Sequence, residues 1–563
     1  MSVTDILNAL LFEDLPRALE IFAPELIVCV SIVALLLTRL FGLDRRFSPC
    51  WVALVGCLIA FTAAFAQFMY IKTGAVSSGL LASLYENARL TATGVGTSGP
   101  YFTGLLMHDP FTLFFRLGLL LFLVLMVALT ILTGIPDNED GPDFYTLLLG
   151  ATLGMMVTTS ANQLLMLFLG VEMMSVPSYV MVAFLKGRQQ SSEAALKYVI
   201  FGAGTAGIML YGVSLLAGLM GTANLPELGA QLAYLAGSEG FTLTSPTMLT
   251  AVLAIMMILV GLAFKLSIVP FHFWCPDAFE GAAAEVGGFL SFASKAAAFA
   301  VLVRFVLAFN GSTEVQHQLM LFFGLGLGVV AAVTATFGNL AAYTQTNVKR
   351  LLAYSTIAHA GYLLMAVSAM LVLLGQPDGG PFTAAQIREE ATRSIEGLTY
   401  YLVVYLFMNL VAFAVVAFIR NEIFSEDIED YSGLVYYNPA TKVLCVCMGC
   451  AFFSLVGVPP FGGLFAKLLV FLAVFKAGYV HWLMWAVLAI AAVNTVFSLF
   501  YYVRVLKVMF FEPPSETAPP MRTPALVSAY VALITIPILL LGASPLQNDL
   551  SVTASFVASV LFR

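Results

Sequence analysis

The sequence predicts an all-α, polytopic membrane protein with about fourteen transmembrane helices. Hydrophobic residues make up 60% of the 563-residue chain and charged residues only 10%, whereas an ordinary soluble domain is about 25% charged. Apolar runs of about twenty residues recur along the whole chain, and each can cross a bilayer core of roughly 30 Å. No soluble domain is expected, and no clustered basic segment indicates a nucleic-acid partner.

Fourteen apolar runs are assigned as spans. In chain order they cover residues 21–41, 51–70, 110–134, 143–159, 161–185, 193–219, 247–277, 282–309, 318–341, 348–374, 396–420, 441–478, 482–511 and 524–542. The runs at 247–277 and 441–478 are too long for one straight crossing, and both contain proline. The longest loops cover 72–109, 220–246 and 375–395.

The charges in the loops and near the ends of these spans predict the orientation of the chain. The first segment carries Asp5, Glu13 and Asp14 with only Arg17, so we interpret it as part of the mature protein, because a cleavable signal begins with basic residues. Thirteen Lys and Arg residues fall on one side of the predicted topology and eight on the side of the termini. The positive-inside rule therefore places both termini on the non-cytoplasmic side.

Four ionisable residues at the centre of predicted spans are the strongest functional signal. Lys265, Lys295 and Lys467 each cost roughly 2.5–3.5 kcal/mol to insert, and Glu172 adds to that cost. Such residues usually face a bundle interior or a hydrated cavity and mark ion or proton routes. Desolvation favours the neutral amine of a lysine, while a nearby carboxylate favours the ammonium. We therefore expect Glu172 to act on Lys265, although a purely structural ion pair is the alternative.

The two overlong runs are interrupted by proline close to these lysines. Pro270 follows Lys265 by five residues, and Pro459 and Pro460 precede Lys467. Proline removes a backbone donor and breaks a helix, and freed backbone groups at membrane depth need protein or water to satisfy them. Two such spans predict a transporter built from inverted repeats, with simple kinks as the alternative.

Polar residues on helix faces could connect the charges. Ser355, His359 and Tyr362 have the spacing of one helix face. His359 can titrate near neutral pH, so it could relay protons, while a role in helix packing remains open. Further residues of this kind are Asn494, Ser498, Tyr501 and, one turn before Lys295, Ser291.

Two other motifs are interpreted as packing. Cys445 and Cys447 of a C-x-C-x-x-C motif point about 200° apart on a helix, so they cannot share one metal site. The G-x-G-x-x-G match that begins at Gly202 lies in an apolar span and not in the βαβ unit that dinucleotide binding requires.

Five segments carry a resemblance to a known family. GLAFKLSIVPFHFWCPDAFEGA, SFASKAAAFAVLVR, EAALKYVIFGAG, NVKRLLAYSTIAHAGYLL and GVPPFGGLFAKLLVF resemble subunit N of NADH-quinone oxidoreductase, respiratory complex I. The resemblance covers roughly residues 105–515. Cys275, Ala283–Ala284 and the long 72–109 loop depart from the family pattern without touching the charged residues.

The resemblance implies an architecture with four parts. Helices 4–8 and 9–13 would form two inverted five-helix repeats, each with a discontinuous helix. The parts are 1–142 (helices 1–3 with an extended extracytoplasmic loop), 143–309 (first antiporter-like repeat), 310–511 (second repeat) and 512–563 (helix 14 and tail).

The resemblance also implies a function. The chain would be a proton-translocating membrane-arm subunit, with proton transfer carried by Glu172, Lys265, Lys295, His359 and Lys467. Supporting residues would be Lys197, Ser291, Ser355, Tyr362 and Asn494. No cofactor or metal is expected on this chain, while NADH, FMN, iron–sulfur clusters and quinone would be bound by partner subunits in a bacterial inner membrane or an equivalent energy-converting membrane. The partners would be other complex I membrane subunits, including antiporter-like neighbours.

Two alternatives from other functional classes remain open at this point. The chain could belong to a freestanding multisubunit cation/proton antiporter that uses the same residues. It could also be a non-pumping subunit that keeps the two repeats for assembly only.

Overall fold

The computed structural model describes residues 14–42, 48–73, 98–135, 140–185, 187–238, 245–377, 379–514, 523–543 and 545–562. The start of the chain and residues 74–97 of the predicted 72–109 loop therefore lie outside the described part. So do several of the basic residues that were counted for the orientation of the chain, including Arg45, Arg46 and Lys186.

The described chain is almost entirely helical. Its α-helices are α1 (Leu15–Ile21), α2 (Ala23–Leu40), α3 (Pro49–Thr73), α4 (Pro110–Thr133), α5 (Gly141–Ser160), α6 (Leu164–Val182), α7 (Gln189–Met220), α8 (Leu225–Ser238), α9 (Pro246–Leu266), α10 (Trp274–Gly281), α11 (Ala284–Leu307), α12 (Glu314–Ala342), α13 (Val348–Leu374), α14 (Ala384–Ile423), α15 (Pro439–Val456), α16 (Gly462–Val480), α17 (Leu483–Phe511), α18 (Ala525–Leu540) and α19 (Leu546–Ser559). Thirteen helices of the described residues are long and apolar enough to cross a membrane. The predicted all-α, polytopic membrane fold is confirmed.

Each of the fourteen predicted spans contains a helix, and the two overlong runs contain two helices each. The run at 247–277 divides into α9 and α10, and the run at 441–478 divides into α15 and α16. A short hairpin of β1 (Gly99–Tyr101) and β2 (Leu106–His108) was not predicted. The hairpin packs on the end of α5, where the backbone N–H of Asn162 donates to the carbonyl of Leu105 over 3.0 Å.

Helices α11, α13 and α14 form the centre of the bundle, since nearly all of their apolar residues are buried. Most of the other spans keep one face exposed, as expected for helices at the lipid boundary, whereas α4 and α5 contain no exposed residue. Helix α12 packs closely along α13 because glycines lie at their contact. Close approach through small residues is typical of helix pairs in membranes, where van der Waals packing drives association.

The contact of α12 with α13 gives a direct test of this packing. A Cβ atom on Gly338 would lie 2.6 Å from the amide nitrogen of Ala358 and 2.8 Å from the carbonyl oxygen of Tyr354. We expect Gly338→Ala to destabilise the protein by about 1–3 kcal/mol, because two backbones must separate. Gly326→Ala, on the same helix but with nothing within 4 Å, is the matched control. Equal melting temperatures of the two purified variants would contradict this account.

Two buried ion pairs connect helices at one end of the bundle. Arg116 of α4 lies 2.6 Å from the carboxylate of Glu25 on α2, and both side chains are fully buried. Arg304 at the end of α11 donates to Asp109, which caps α4, over 2.7 Å. Burial opposes ionisation of Asp109, but the Arg304 guanidinium and hydrogen bonds from Arg304 and Thr112 hold its pKa below the ordinary value. These pairs fix α4 against its neighbours.

The two helix interruptions have the same backbone design. Helix α9 ends at Leu266 and α15 ends at Val456. The next residues, Ser267 and Gly457, have φ of 58° and 90°, a left-handed conformation that commonly ends helices. Pro270 and Pro460 each follow three residues later, so the chain cannot resume the helix at once.

Candidate functional site

Each interruption leaves backbone carbonyls at membrane depth, and a buried lysine binds one of them. Lys295 Nζ donates to the carbonyl of Leu266, the last residue of α9, over 2.6 Å. Lys467 Nζ donates to the carbonyl of Val456, the last residue of α15, over 2.9 Å. The last carbonyls of a helix have no partner within the helix, and a cation near them is favoured by the helix dipole. At each break, the lysine amine therefore supplies the hydrogen-bond donor that the last carbonyl of the helix lacks, and the carbonyl supplies an acceptor for the buried amine.

Lys265 has a different environment, formed by aromatic rings. Its Nζ lies 5.2 Å from the ring centre of Tyr179, 5.4 Å from that of Tyr198 and 5.3 Å from that of Phe264. Trp274 stacks on Tyr198 with ring centres 4.1 Å apart, which holds that ring in place. The lysine side chain is 2% exposed. Attraction to ring faces partly replaces the water that an ammonium loses on burial.

Glu172 lies on α6, half-buried, on the side of the bundle that contains Lys265. No salt bridge joins Glu172 to Lys265, although both residues belong to the described part of the chain. Lys265 instead approaches α6 at Tyr179, two turns after Glu172 on the same helix face, with Nζ 5.2 Å from the ring centre. The geometry therefore differs from the closed structural ion pair considered as the alternative from the sequence.

His359 is buried at the middle of α13 between two tyrosine hydroxyls. Its Nδ1 lies 2.7 Å from the hydroxyl of Tyr401, and its Nε2 lies 3.5 Å from the hydroxyl of Tyr502. The Tyr502 hydroxyl also forms a short hydrogen bond with Ser355, one turn earlier on α13. Ser355 and His359 therefore share one hydrogen-bonded group, as their helical spacing predicted.

A second polar group connects Lys467 with α12 and α17. Lys467 Nζ lies 4.7 Å from the ring centre of Tyr362. The side-chain amide of Asn339 donates to the Tyr362 hydroxyl over 3.3 Å and to Asn494 Oδ1 over 3.2 Å. Tyr501 donates to Asn339 Oδ1 over 3.0 Å. Tyr362 and Asn494 from the predicted set thus meet through Asn339.

The other two predicted supporting residues, Ser291 and Lys197, belong to neither of these hydrogen-bonded groups. Ser291 is fully buried, and its hydroxyl donates to the carbonyl of Gly288 in its own helix over 2.7 Å. Lys197 is 41% exposed and lies in a surface network, 2.8 Å from Glu193 and 2.9 Å from Asp277. It has no contact with Lys265, Lys295 or Lys467 in the described structure.

Sequence reasoning missed several buried polar groups. The residues are Asn339, Tyr401, Tyr502, Glu285 and the ion pair of Lys349 with Glu426. Lys349 lies at the start of the predicted span 348–374, and its side chain is fully buried. Its Nζ lies 2.9 Å from Glu426 and donates to the carbonyl of Ala282, at the end of α10, over 2.6 Å. A lysine that binds a carbonyl at the end of another helix thus occurs three times in the described structure. In the sequence, the position of Lys349 in the first turn of an apolar span was the signal that could have indicated its burial.

Amines, an imidazole and phenol hydroxyls are groups that can bind and release protons. In this structure His359 lies within hydrogen-bond distance of the Tyr401 hydroxyl, whereas the amines of Lys295 and Lys467 donate to backbone carbonyls. Among the described residues, no group of three or more His, Cys, Asp or Glu side chains is placed to hold a metal ion. The described cysteines are all free thiols.

The chain is similar in sequence and in fold to several known proteins. The family described as NADH:quinone oxidoreductase/Mrp antiporter, transmembrane, matches residues 161–373 and 382–498. NADH-quinone oxidoreductase subunit N of Anaeromyxobacter sp. (strain Fw109-5) is 38% identical over 84% of this chain and 88% of its own length. Subunit N 1 of Roseiflexus castenholzii is 36% identical over 92% and 93%.

Solved structures agree with these relatives. A chain of respiratory complex I from Thermus thermophilus is 28% identical and superposes with a TM-score of 0.67, covering 92% of this chain and 96% of that one. A chain of the Mrp complex from Dietzia sp. DQ12-45-1b has a TM-score of 0.74 over 96% and 97%, at 20% identity. The second likeness concerns the fold alone.

Proposed function

Because this chain belongs to the NADH:quinone oxidoreductase/Mrp antiporter family of transmembrane proteins, we propose that it translocates protons as the antiporter-like membrane-arm subunit of a bacterial NADH:quinone oxidoreductase. Electrons pass from NADH to quinone on partner subunits, which bind NADH, FMN, iron–sulfur clusters and quinone. This chain is a multi-pass membrane subunit that contributes the proton path. It packs in the bilayer beside other membrane subunits of the complex.

One observation carries the proposal: at both helix interruptions a buried lysine donates to the last carbonyl of the broken helix. A protein that needed only to pack in lipid would contain apolar side chains there, because each lysine costs roughly 2.5–3.5 kcal/mol to insert. The freed carbonyl supports the charged lysine, while burial favours the neutral amine. The balance between these effects can be shifted by a nearby charge, and that is what proton loading and release require.

In the proposed mechanism a change of charge at Glu172 alters the proton affinity of Lys265. A proton then moves by way of Lys295 and His359 to Lys467 and leaves on the far side. Tyr401 and Tyr502, which contact both nitrogens of His359, hold the imidazole in a hydrogen-bonded position for this transfer. Asn339 joins Tyr362 and Asn494 beside Lys467, and these three residues stabilise the end of the path.

The same proposal includes the arrangement of the chain. Residues 143–309 and 310–511 form two inverted repeats, each with one interrupted helix, between the first three helices and the C-terminal helix. The matched backbone conformations at Ser267 and Gly457 support this division. Both termini face the non-cytoplasmic side, as the distribution of basic residues favours.

A freestanding cation/proton antiporter is the second candidate, because the matching family also includes Mrp antiporter proteins. The two candidates predict different assemblies. Extraction of the membrane in a mild detergent, followed by a native gel stained for NADH oxidation and probed for this chain, separates them. We expect the chain to migrate with the large NADH-oxidising band.

Two controls make this result decisive. A second gel lane loaded with membranes from a strain that lacks the chain should show the loss or shrinkage of the NADH-oxidising band. Sodium-dependent proton flux should depend little on the chain. Absence of the chain from every NADH-oxidising band, together with sodium-dependent proton flux that requires it, would refute the proposed function in favour of the antiporter.

A further inference from the structure

A groove with a polar mouth lies between α15 and α18, and none of the proposed proton-transfer residues lines it. It encloses a cavity of about 640 Å³. The residues that line it include Tyr436, Lys442, Val446 and Cys450 on one side and Thr535 and Ile536 on the other. The hydroxyls of Thr441 and Thr523 are 3.0 Å apart, so both helices begin at the same end of the groove.

The polarity of the lining changes along the groove. Polar and aromatic side chains, including Tyr436 and Lys442, lie at the end where the helices begin, and mostly apolar side chains follow. From Lys442 to Cys450 the helix rises about 12 Å, close to the depth of one hydrocarbon leaflet, which is half of roughly 30 Å. Tyrosines at one end and an apolar floor below match the boundary between headgroups and acyl chains.

Charge determines what the mouth of the groove can bind. Lys442 is exposed and is the one charged residue among those that line the cavity. It forms no salt bridge with any other described residue. At the membrane surface, an ammonium without a carboxylate partner attracts the phosphate of a lipid headgroup.

The floor of the groove exposes apolar side chains. Val446 is 50% exposed and Ile536 is 46% exposed, and both line the cavity. Shallow apolar furrows of this kind fit a linear hydrocarbon chain, whereas a second helix, about 10 Å across, would need a wider surface. The combination of a single cation at the mouth and a narrow apolar floor is the chemistry of one phospholipid molecule.

We propose that this groove holds one glycerophospholipid, with its phosphate against Lys442 and an acyl chain between α15 and α18. The lipid is a structural ligand of α15. Because α15 ends at Val456, whose carbonyl accepts the hydrogen bond from Lys467, the lipid steadies the helix that supplies that acceptor. The proposal is independent of whether the chain pumps protons.

Native mass spectrometry of the assembled complex tests the proposal. We expect the released chain to carry one phospholipid mass, and Lys442→Ala to lower the lipid-bound fraction by about tenfold or more, since one contact between charged groups is lost. Lys507→Ala, which removes an exposed lysine of α17 that does not line the groove, should retain the lipid. Equal lipid retention by the two variants would overturn the proposal.

A second measurement covers the case in which Lys442→Ala fails to assemble. The photoreactive amino acid p-benzoylphenylalanine is placed at Val446, and native membranes are irradiated. An adduct with the mass of a phospholipid on the chain supports the proposal. An adduct with a neighbouring subunit, or no lipid adduct, means that the groove is covered by something else and refutes it.

Discussion

Replacement of Lys467 by alanine is expected to slow proton transfer along this chain by about 10²-fold or more, the range that a positioned acid–base group contributes. The change removes the titratable amine that donates to the carbonyl of Val456 at the second interruption. It also leaves that carbonyl without its donor in a buried position. Proton uptake by inverted vesicles, measured per NADH oxidised, should fall while electron transfer continues in the assembled complex.

Two further variants separate the proton role of Lys467 from its structural role. Lys467→Arg keeps a positive charge and a donor for the Val456 carbonyl, but a guanidinium does not release its proton in proteins. It should therefore assemble and still fail to pump. Lys476→Ala, on the same helix α16, removes an exposed lysine that pairs with Glu390 over 3.3 Å and should pump normally. Normal pumping by Lys467→Arg would mean that the lysine is only structural.

The second large effect concerns stability. Arg116→Met leaves the carboxylate of Glu25 fully buried without its partner, and it also removes the donor to Gln67, 3.2 Å away. Breaking a buried ion pair by removing one partner costs about 3–5 kcal/mol. We expect a large drop in the melting temperature of the complex and in the amount assembled. The ratio of protons pumped to NADH oxidised should stay unchanged in what remains, because the described hydrogen bonds and ion pairs of Arg116 include none of the buried lysines.

The matched variant is the double replacement Glu25→Leu with Arg116→Met. Replacing a buried ion pair with apolar residues of similar volume is often neutral or stabilising, so the double variant should recover most of the lost stability. If the single and double variants were equally unstable, packing around the two side chains would matter more than their charges. An altered pumping ratio in the single variant would place the pair in the proton path and contradict its structural role.

The spans could be predicted from sequence because length and apolar composition are local properties. The same holds for the interruptions, although the helices end at Leu266 and Val456, several residues before the prolines. The turning residues are Ser267 and Gly457, and serine gave no strong local signal for a left-handed conformation. Proline thus marks the region of a break but not the residue at which the helix ends.

The partners of the buried groups could not be predicted in the same way. Tyr401 and Tyr502 are separated from His359 by 42 and 143 residues, and tyrosine in an apolar helix is more often a packing residue. Arg116 falls inside the predicted span 110–134, but nothing local connects it with Glu25 on another helix. Such pairs depend on which helices become neighbours, and this is decided by packing of the whole bundle.

The rings around Lys265 have a consequence for how freely its amine can turn. A ring face attracts an ammonium over a broad area, without the single preferred direction of a hydrogen bond. Lys295 and Lys467 are each oriented by one backbone oxygen, so reorientation of either amine first requires that bond to break. The amine of Lys265 can reorient among three aromatic rings at a small cost in free energy. Of the three lysines, it is therefore the one best able to exchange one interaction partner for another.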